Sequence, residues 1–254
     1  MTSAEPRAAA TWDGLTAEDI ARRTGVPRVC LFDEVASTQD IALEDDRGSE
    51  EQSLVVANRQ HAGRGRLGRP WKSGDGQGVW CTFTVPPGLD AGGIDVMTIR
   101  IGLGLARALD AVAREPVGLK WPNDLLLRAG KVAGVLVERR LWASEAGSFA
   151  IGVGVNVAAP PDVPDAAGLP PGTRRIEVLE AVARSVRAAT TTNGHLTPAE
   201  LKEFAERDRL SGRRLRSPWP GIARGIEDNG CLIIETPDGM EYRRSGTVQL
   251  AEDA

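Results

Sequence analysis

The chain has little of what most catalytic and membrane proteins draw on. Its 254 residues include three cysteines, two histidines and one tyrosine. Cys30, Cys81 and Cys231 are scattered and odd in number. That excludes a disulfide framework, fits a reducing cytoplasm, and makes each one a small core residue. The two histidines lie far apart and no cysteines are paired, so no protein-built zinc site is expected. No apolar run approaches the ~20 residues of a membrane span. The stretch from Met1 to Gly14 also lacks the basic-then-apolar pattern of a signal peptide. A cytoplasmic protein without a membrane partner is expected. There is no nucleophile elbow, no catalytic histidine beside a serine or cysteine, and no Gly-x-x-x-x-Gly-Lys-Ser/Thr phosphate loop. Gly102-Leu103-Gly104 lies inside a helical pattern and not between strand and helix, so it is no dinucleotide fingerprint. Positive charge is in deficit, with a formal net charge of −4. Together with the single tyrosine, that speaks against a nucleic-acid partner.

Against this background one stretch stands out. Gln60 to Trp71 reads QHAGRGRLGRPW, with three glycines, three arginines and a tryptophan. The glycines are too costly for a helix, and the apolar/polar alternation of a strand is missing. It reads as a loop whose backbone can approach a ligand closely. In an extended segment Arg64 and Arg66 sit at i and i+2, with both guanidiniums on one side. Two such forks suit a carboxylate or a phosphate.

The rest of the chain gives a coarse map. Residues 1–28 read as a loose tail and a short helix, Leu15 to Thr24, capped by Thr16. A first strand, Val29 to Val35, leads to Ser37-Thr38-Gln39 at the start of a helix ending near Gly48. Leu54 to Ala57 and Val79 to Val85 are strands on either side of the basic loop. Val96 to Val112 is a core-facing helix. Strands follow at Val117–Trp121, Leu125–Leu127, Lys131–Leu141 and Phe149–Val157, with a hairpin tip at Arg128–Lys131. Gly152 and Gly154 alternate on the last of these strands and bare one face of the sheet to another backbone or to a ligand. A proline-rich surface loop, residues 158–172, precedes helices at Arg174–Thr190 and Pro198–Leu210. Beyond Ser211-Gly212 come five short strands with tight turns, the pattern of a small barrel. The expected architecture is α+β: a mixed sheet with helices on one side in residues 29–210, then an SH3-like β-barrel in residues 211–254.

The polar residues at strand ends and loops are cations, amides and hydroxyls. That set favours electrostatic handling of anions over covalent catalysis. Bringing two anions together, as when a carboxylate attacks a phosphate, costs roughly 4 kcal/mol per unit charge pair at ~4 Å and an effective dielectric of 20.

GRGRLGRPW (63–71), KWPND (120–124), KVAGVLVE (131–138) and GVGVNV (152–157), in this order and spacing, resemble the motif series of the biotin protein ligases. The resemblance spans residues 29–254. It implies a two-step reaction in which biotin and ATP give biotinyl-5′-AMP and pyrophosphate. A lysine of a biotin carboxyl carrier protein then takes the biotinyl group and AMP leaves. It further implies that Ser37, Thr38 and Gln60 hydrogen-bond the ureido ring. Arg64, Gly65 and Arg66 hold the carboxylate and later the phosphate. Trp71 covers the intermediate, and Lys131 binds the reacting oxygens with Mg²⁺ on the phosphates. Asn156 and the glycines before it line the floor, Gly134 lines the cleft, and Asp124 positions either the incoming amine or a metal-bound water. Where the family has Ser-Thr-Asn, this chain has Gln39, whose extra methylene loses or reshapes that contact. A monomer or weak homodimer is expected. With only 28 residues before the first strand, no winged helix and no operator binding are expected. Lipoate or octanoate ligation is the competing activity within the same architecture, and the GRGRLGR run argues against it.

Overall fold

The computed structural model describes residues 5–45, 51–85, 93–139 and 148–251. Eight strands form one sheet: β1 (Arg7–Ala8), β2 (Arg28–Val35), β3 (Ser53–Gln60), β4 (Gly78–Val85), β5 (Gly118–Lys120), β6 (Asp124–Leu127), β7 (Gly130–Arg139) and β8 (Phe149–Asn156). Their order is β1-β2-β3-β4-β8-β7-β6-β5. Only β2 and β3 run parallel; every other neighbouring pair is antiparallel. Among the described residues five α-helices accompany the strands: α1 (Ala17–Thr24), α2 (Thr38–Asp45), α3 (Ile94–Ala113), α4 (Arg175–Thr190) and α5 (Pro198–Arg207).

A parallel pair needs a crossover, and α2 supplies it between β2 and β3. This crossover revises the expectation of helices on one side. Side chains from α1, α3 and α4 share one core with Phe83, Ile151 and Val153 on one face of the sheet. α2 lies on the other face, where Gln39 meets Thr82 and Gly152. Position 152 is therefore bare because a helix side chain approaches it.

The helices carry their own reasons. In α1, Thr16 accepts from the Asp19 amide while the Asp19 carboxylate accepts from the Thr16 amide, a reciprocal cap. In α3, the glycine at 104 lets α4 come close: a Cβ there would stand 3.1 Å from Ser185 Oγ. The Gly-Leu-Gly run serves helix packing.

One expectation fails at the N-terminus, and the proline-rich surface loop does more than expected. Residues from Glu5 on are no loose tail: β1 pairs with β2, and Trp12 is fully buried with the Arg175 guanidinium 4.4 Å from its ring centroid. The loop 158–172 is a wall as well as a surface, because it hydrogen-bonds to the start of β7 and buries Leu169. The expected ends of two elements, Gly48 and Leu141, lie outside the described residues.

The C-terminal strands are β9 (Arg214–Ser217), β10 (Gly221–Ile226), β11 (Leu232–Thr236), β12 (Gly239–Arg243) and β13 (Gln249–Leu250). They form an antiparallel sheet in the order β12-β11-β10-β9-β13. The expected barrel is not closed: among the described residues β12 and β13 remain edges, with β13 only two residues long. The sheet docks on the larger one. Trp121 Nε1 donates to the Gly230 carbonyl at 2.9 Å, and Leu215, Ala223, Leu232 and Val248 continue the same hydrophobic core.

Candidate active site

One cleft dominates the described surface, offering about 180 Å³ where the next two cavities offer about 10 Å³ each. It opens on the α2 face of the sheet. The sequence-selected residues Ser37, Thr38, Gln39, Gln60, Arg64, Gly65, Arg66, Trp71, Asp124, Lys131 and Gly134 all line it. Asn156 does not line it but touches it indirectly, through Lys131.

The inner end is neutral and densely hydrogen-bonded. Ser37, Thr38, Gln39 and Thr82 are all buried. The Thr38 amide donates to Gln60 Oε1 at 2.8 Å and its hydroxyl to the same oxygen at 3.1 Å. Gln60 Nε2 donates onward to Ser73 Oγ at 2.8 Å, so the amide orientation is fixed from both ends. Thr82 Oγ1 donates to Thr38 Oγ1 at 2.9 Å and lies 3.2 Å from Gln39 Oε1. Gln39 Nε2 donates to the Ala150 carbonyl at 3.1 Å. The extra methylene of Gln39 is accommodated because residue 152 is glycine: a Cβ there would stand 2.5 Å from Gln39 Oε1. Ser37 Oγ accepts from the Gln39 amide at 3.2 Å, which leaves its own proton to donate into the cleft.

The outer end is cationic. The basic loop folds as a small excursion, with isolated bridges Gln60↔Ser73 and Arg64↔Pro70 and a 3-10 turn at Arg66–Gly68. Gly63 is required by close approach, since a Cβ there would stand 2.7 Å from the Trp71 carbonyl oxygen. The turn ends the extended geometry at Gly65, so Arg64 and Arg66 do not present a paired fork, contrary to the i, i+2 expectation. Arg64 Nη2 lies 2.6 Å from Asp40 Oδ1, and its two terminal nitrogens donate to Glu138 at 3.3 Å each. The Arg66 carbonyl accepts from Arg69 N at 3.2 Å, but its side chain has no hydrogen bond or ion pair among the described residues. Burial pushes its guanidinium below the ordinary value, and the more distant Asp95 and Asp124 only partly offset this. A desolvated cation without a partner is a ready anion site.

Lys131 begins the wall opposite. Its Nζ lies 2.6 Å from Asp124 Oδ1 and 4.9 Å from the Trp71 ring centroid. Its backbone is fixed on both sides: the amide donates to the Asp165 carbonyl at 2.7 Å, and the carbonyl accepts from Ala167 N at 2.9 Å and Asn156 Nδ2 at 3.1 Å. Asn156 Oδ1 is buried with no partner, as is Trp71 Nε1. The Trp71 ring lies on the bared sheet. A Cβ at Gly154 would stand 2.7 Å from two ring carbons, and one at Gly134 would stand 3.2 Å from the ring. Trp80 meets the same ring edge-on, with centroids 6.2 Å apart.

Several site residues escaped the sequence reading. Thr82, Ser73, Asp40, Glu138 and Trp80 support the selected residues, and Thr247 brings the C-terminal sheet to the rim. Only Thr82 and Trp80 carried a signal, because strand alternation places them on the face opposite Cys81 and Phe83.

Comparison with known proteins gives the same picture. Residues 31–156 match the description Biotin/lipoate A/B protein ligase family, and residues 220–250 match Biotin protein ligase C terminal domain. The biotin--[acetyl-CoA-carboxylase] ligase of Paracoccus denitrificans is 31% identical over 229 residues, covering 81% of this chain and 93% of that protein. The bifunctional ligase/repressor BirA of Bacillus subtilis is 30% identical over 237 residues, covering 86% of this chain and 72% of that protein. Among solved structures, the biotin protein ligase from Aquifex aeolicus in complex with biotin and ATP superposes with a TM-score of 0.73 at 26% identity, covering 89% of this chain and all of that one.

Proposed function

From the premise that the chain belongs to the biotin protein ligase family, whose members are ligase enzymes, we propose that it activates biotin with ATP and transfers it to a lysine of a carboxylase carrier protein. The observation that carries this reading is the polarity of the main cleft among the described residues. Its inner end offers fixed neutral donors and acceptors for an uncharged ring. Its outer end offers an unpartnered guanidinium and an ammonium for an anion.

In this arrangement Ser37, Thr38 and Gln60 read the ureido ring, and Gln39 with Gly152 closes the pocket behind it. The valeryl chain runs alongside the Trp71 ring, which itself covers Gly154 and Gly134. Its carboxylate reaches Arg66 and Lys131, beside Gly65. The carboxylate oxygen attacks the α-phosphorus of ATP, the P–O bond to pyrophosphate breaks, and a mixed anhydride forms. Arg66 and Lys131 offset the repulsion between the two anions, and they act where charge moves in the transition state. Asn156 acts from behind the cleft, holding the Lys131 carbonyl through its Nδ2 at 3.1 Å and so positioning Lys131. In the second step a carrier lysine amine attacks the acyl carbon, AMP departs, and an amide forms. Lys131 drawn to the phosphate leaves Asp124 free to orient that amine and take its proton. Among the described residues no cluster of three acidic, histidine or cysteine side chains could hold a metal. Mg²⁺ would enter with the nucleotide and offset the charge of its phosphates, and Asp124 is the carboxylate of the cleft lining that would help to hold it.

The test is pyrophosphate release on adding ATP with biotin, lipoate or octanoate, followed by transfer to a carrier domain. Release with biotin alone is expected, because a simple acyl chain gives the Ser37 hydroxyl nothing to bond. Release only with lipoate or octanoate would replace the reading.

A further inference from the structure

Arg64 is the most heavily partnered cation at the cleft. Its guanidinium meets Asp40 of α2 at 2.6 Å and both oxygens of Glu138 of β7 at 3.3 Å. Asp40 lies two residues after Thr38, at the inner end of the cleft. Glu138 continues the β7 face that carries Gly134 and Leu136, two residues lining the cleft. One side chain from the loop therefore ties together the helix and the strand that form the two walls.

The charge balance matters. One guanidinium against two carboxylates leaves a surplus of negative charge at this corner. Burial works against the charge on Arg64, but Glu138 and Asp40 outweigh it and hold the group above its ordinary value. An incoming carboxylate or phosphate gains little from a cation already shared by two anions. Arg66, two residues on, is its opposite, desolvated and unpaired. The two arginines have different work.

We propose that Arg64, Asp40 and Glu138 form a latch in which the two carboxylates are positioning residues. They hold the Gly63–Gly65 segment against both walls and govern how fast the closed loop opens to let bound ligand leave, while Arg66 and Lys131 meet the charge of the ligand directly. The planar fork of Arg64 suits this, since it engages Glu138 with two parallel donors and keeps a further contact for Asp40, which a lysine ammonium cannot match. The three side chains are 34%, 40% and 32% exposed, so water reaches the latch and it can open. The loop's own bonds, Gly65 N to the Arg69 carbonyl and Trp71 N to the Gly63 carbonyl, both 2.7 Å, report whether it stays closed.

This latch rests on the ligase reading for its role but not for its existence, so two measurements separate them. The Asp40→Asn/Glu138→Gln double variant should shorten the half-life of retained biotinyl-5′-AMP by about five- to tenfold, as loss of a partly exposed, bidentate charged contact implies. The KM for biotin should rise with kcat unchanged. Arg64→Lys should fall between the double variant and wild type, and Glu138→Asp should recover part of the loss. Wild-type retention in the double variant would overturn the latch. So would an equal loss in kcat and kcat/KM with a lowered Tm, the mark of general destabilisation. If the wild-type protein forms no adenylate from any of the acids, the ligase reading fails. The latch is then judged by hydrogen exchange at the Gly65 and Trp71 amides. Faster exchange in the double variant supports it, and unchanged exchange refutes it.

Discussion

Gly154→Ala puts one methyl group under the Trp71 ring. The added Cβ would stand 2.7 Å from ring atoms Cε2 and Cζ2 and 2.9 Å from Nε1. Carbon atoms pack at about 3.5–4.0 Å, so the ring or the strand must retreat by roughly 1 Å. β8 is bonded along its whole length to β4 and β7, whereas the ring hangs from a glycine-rich loop. The ring yields. Lifting it weakens the edge contact with Trp80 and the approach of Lys131 at 4.9 Å, worth about 0.5–1.5 and 0.5–1 kcal/mol in general. Forcing a methyl into a packed contact costs about 1–3 kcal/mol, which corresponds to roughly five- to 150-fold in KM for biotin if the closed loop is the binding state. The sheet itself is spared, so Tm should move little. Gly93→Ala is the control, since nothing lies within 4 Å of its Cβ and its φ is −88°. Pyrophosphate release measured over a range of biotin concentrations reads both variants. A wild-type KM in Gly154→Ala would show that Trp71 does not rest on the sheet during catalysis.

Lys131→Ala should lower the rate of pyrophosphate release by on the order of 10²-fold or more while the far-UV spectrum and Tm stay near wild type, because a charge that stabilises the transition state is lost; a wild-type rate in the folded variant would remove Lys131 from the chemistry. Arg66→Gly should release the adenylate faster than it slows its formation, so that lysines of bystander proteins become biotinylated; labelling confined to the carrier at the wild-type rate would count against the unpaired guanidinium as the anion's anchor. Stability should also respond to acid through Glu200. Burial raises the pKa of this carboxyl, but its bonds from Arg100 and Thr197 outweigh burial and leave it below the ordinary 4.5. A depressed folded-state pKa adds stability that is present above 4.5 and is lost as pH falls through the folded value. The Tm gap between wild type and Glu200→Gln should therefore shrink on acidification across that window, and a gap that is constant or widens would refute the assignment.

The parts of the site legible in the sequence were those in which a short run decides its own conformation. Glycines spaced through the basic loop, the Trp-Pro-Asn turn before Asp124 and the lysine near the start of β7 each have a local cause, and the structure brings all three to one cleft. What stayed hidden depends on partners distant in sequence. Nothing near Arg64 announces that its charge is balanced by Asp40 on one side and Glu138 on the other. Nor does the Ser-Thr-Gln run announce that Thr82 stands behind it. The placement of α2 is legible only once β2 and β3 are known to be parallel, because that pairing demands a crossover.

The glycines show where the boundary falls. A bare position on a strand says that something approaches, but not what. At Gly152 the visitor is Gln39, at Gly154 it is Trp71, and at Gly134 Lys131 and Trp71 both approach, all from the same chain. The floor is therefore divided before any ligand arrives. Gln39 fills the place that its extra methylene needs and closes the inner end, while Trp71 rests on a loop that can lift. A bulky substitution at 152 presses on a helix side chain whose amide is bonded to the sheet, and one at 154 presses on a ring whose nitrogen has no partner. The first should reshape the pocket for the ring of the substrate and the second should change how the cleft closes. The same residue type, two positions apart on one strand, is thus expected to act on specificity at one end and on retention at the other.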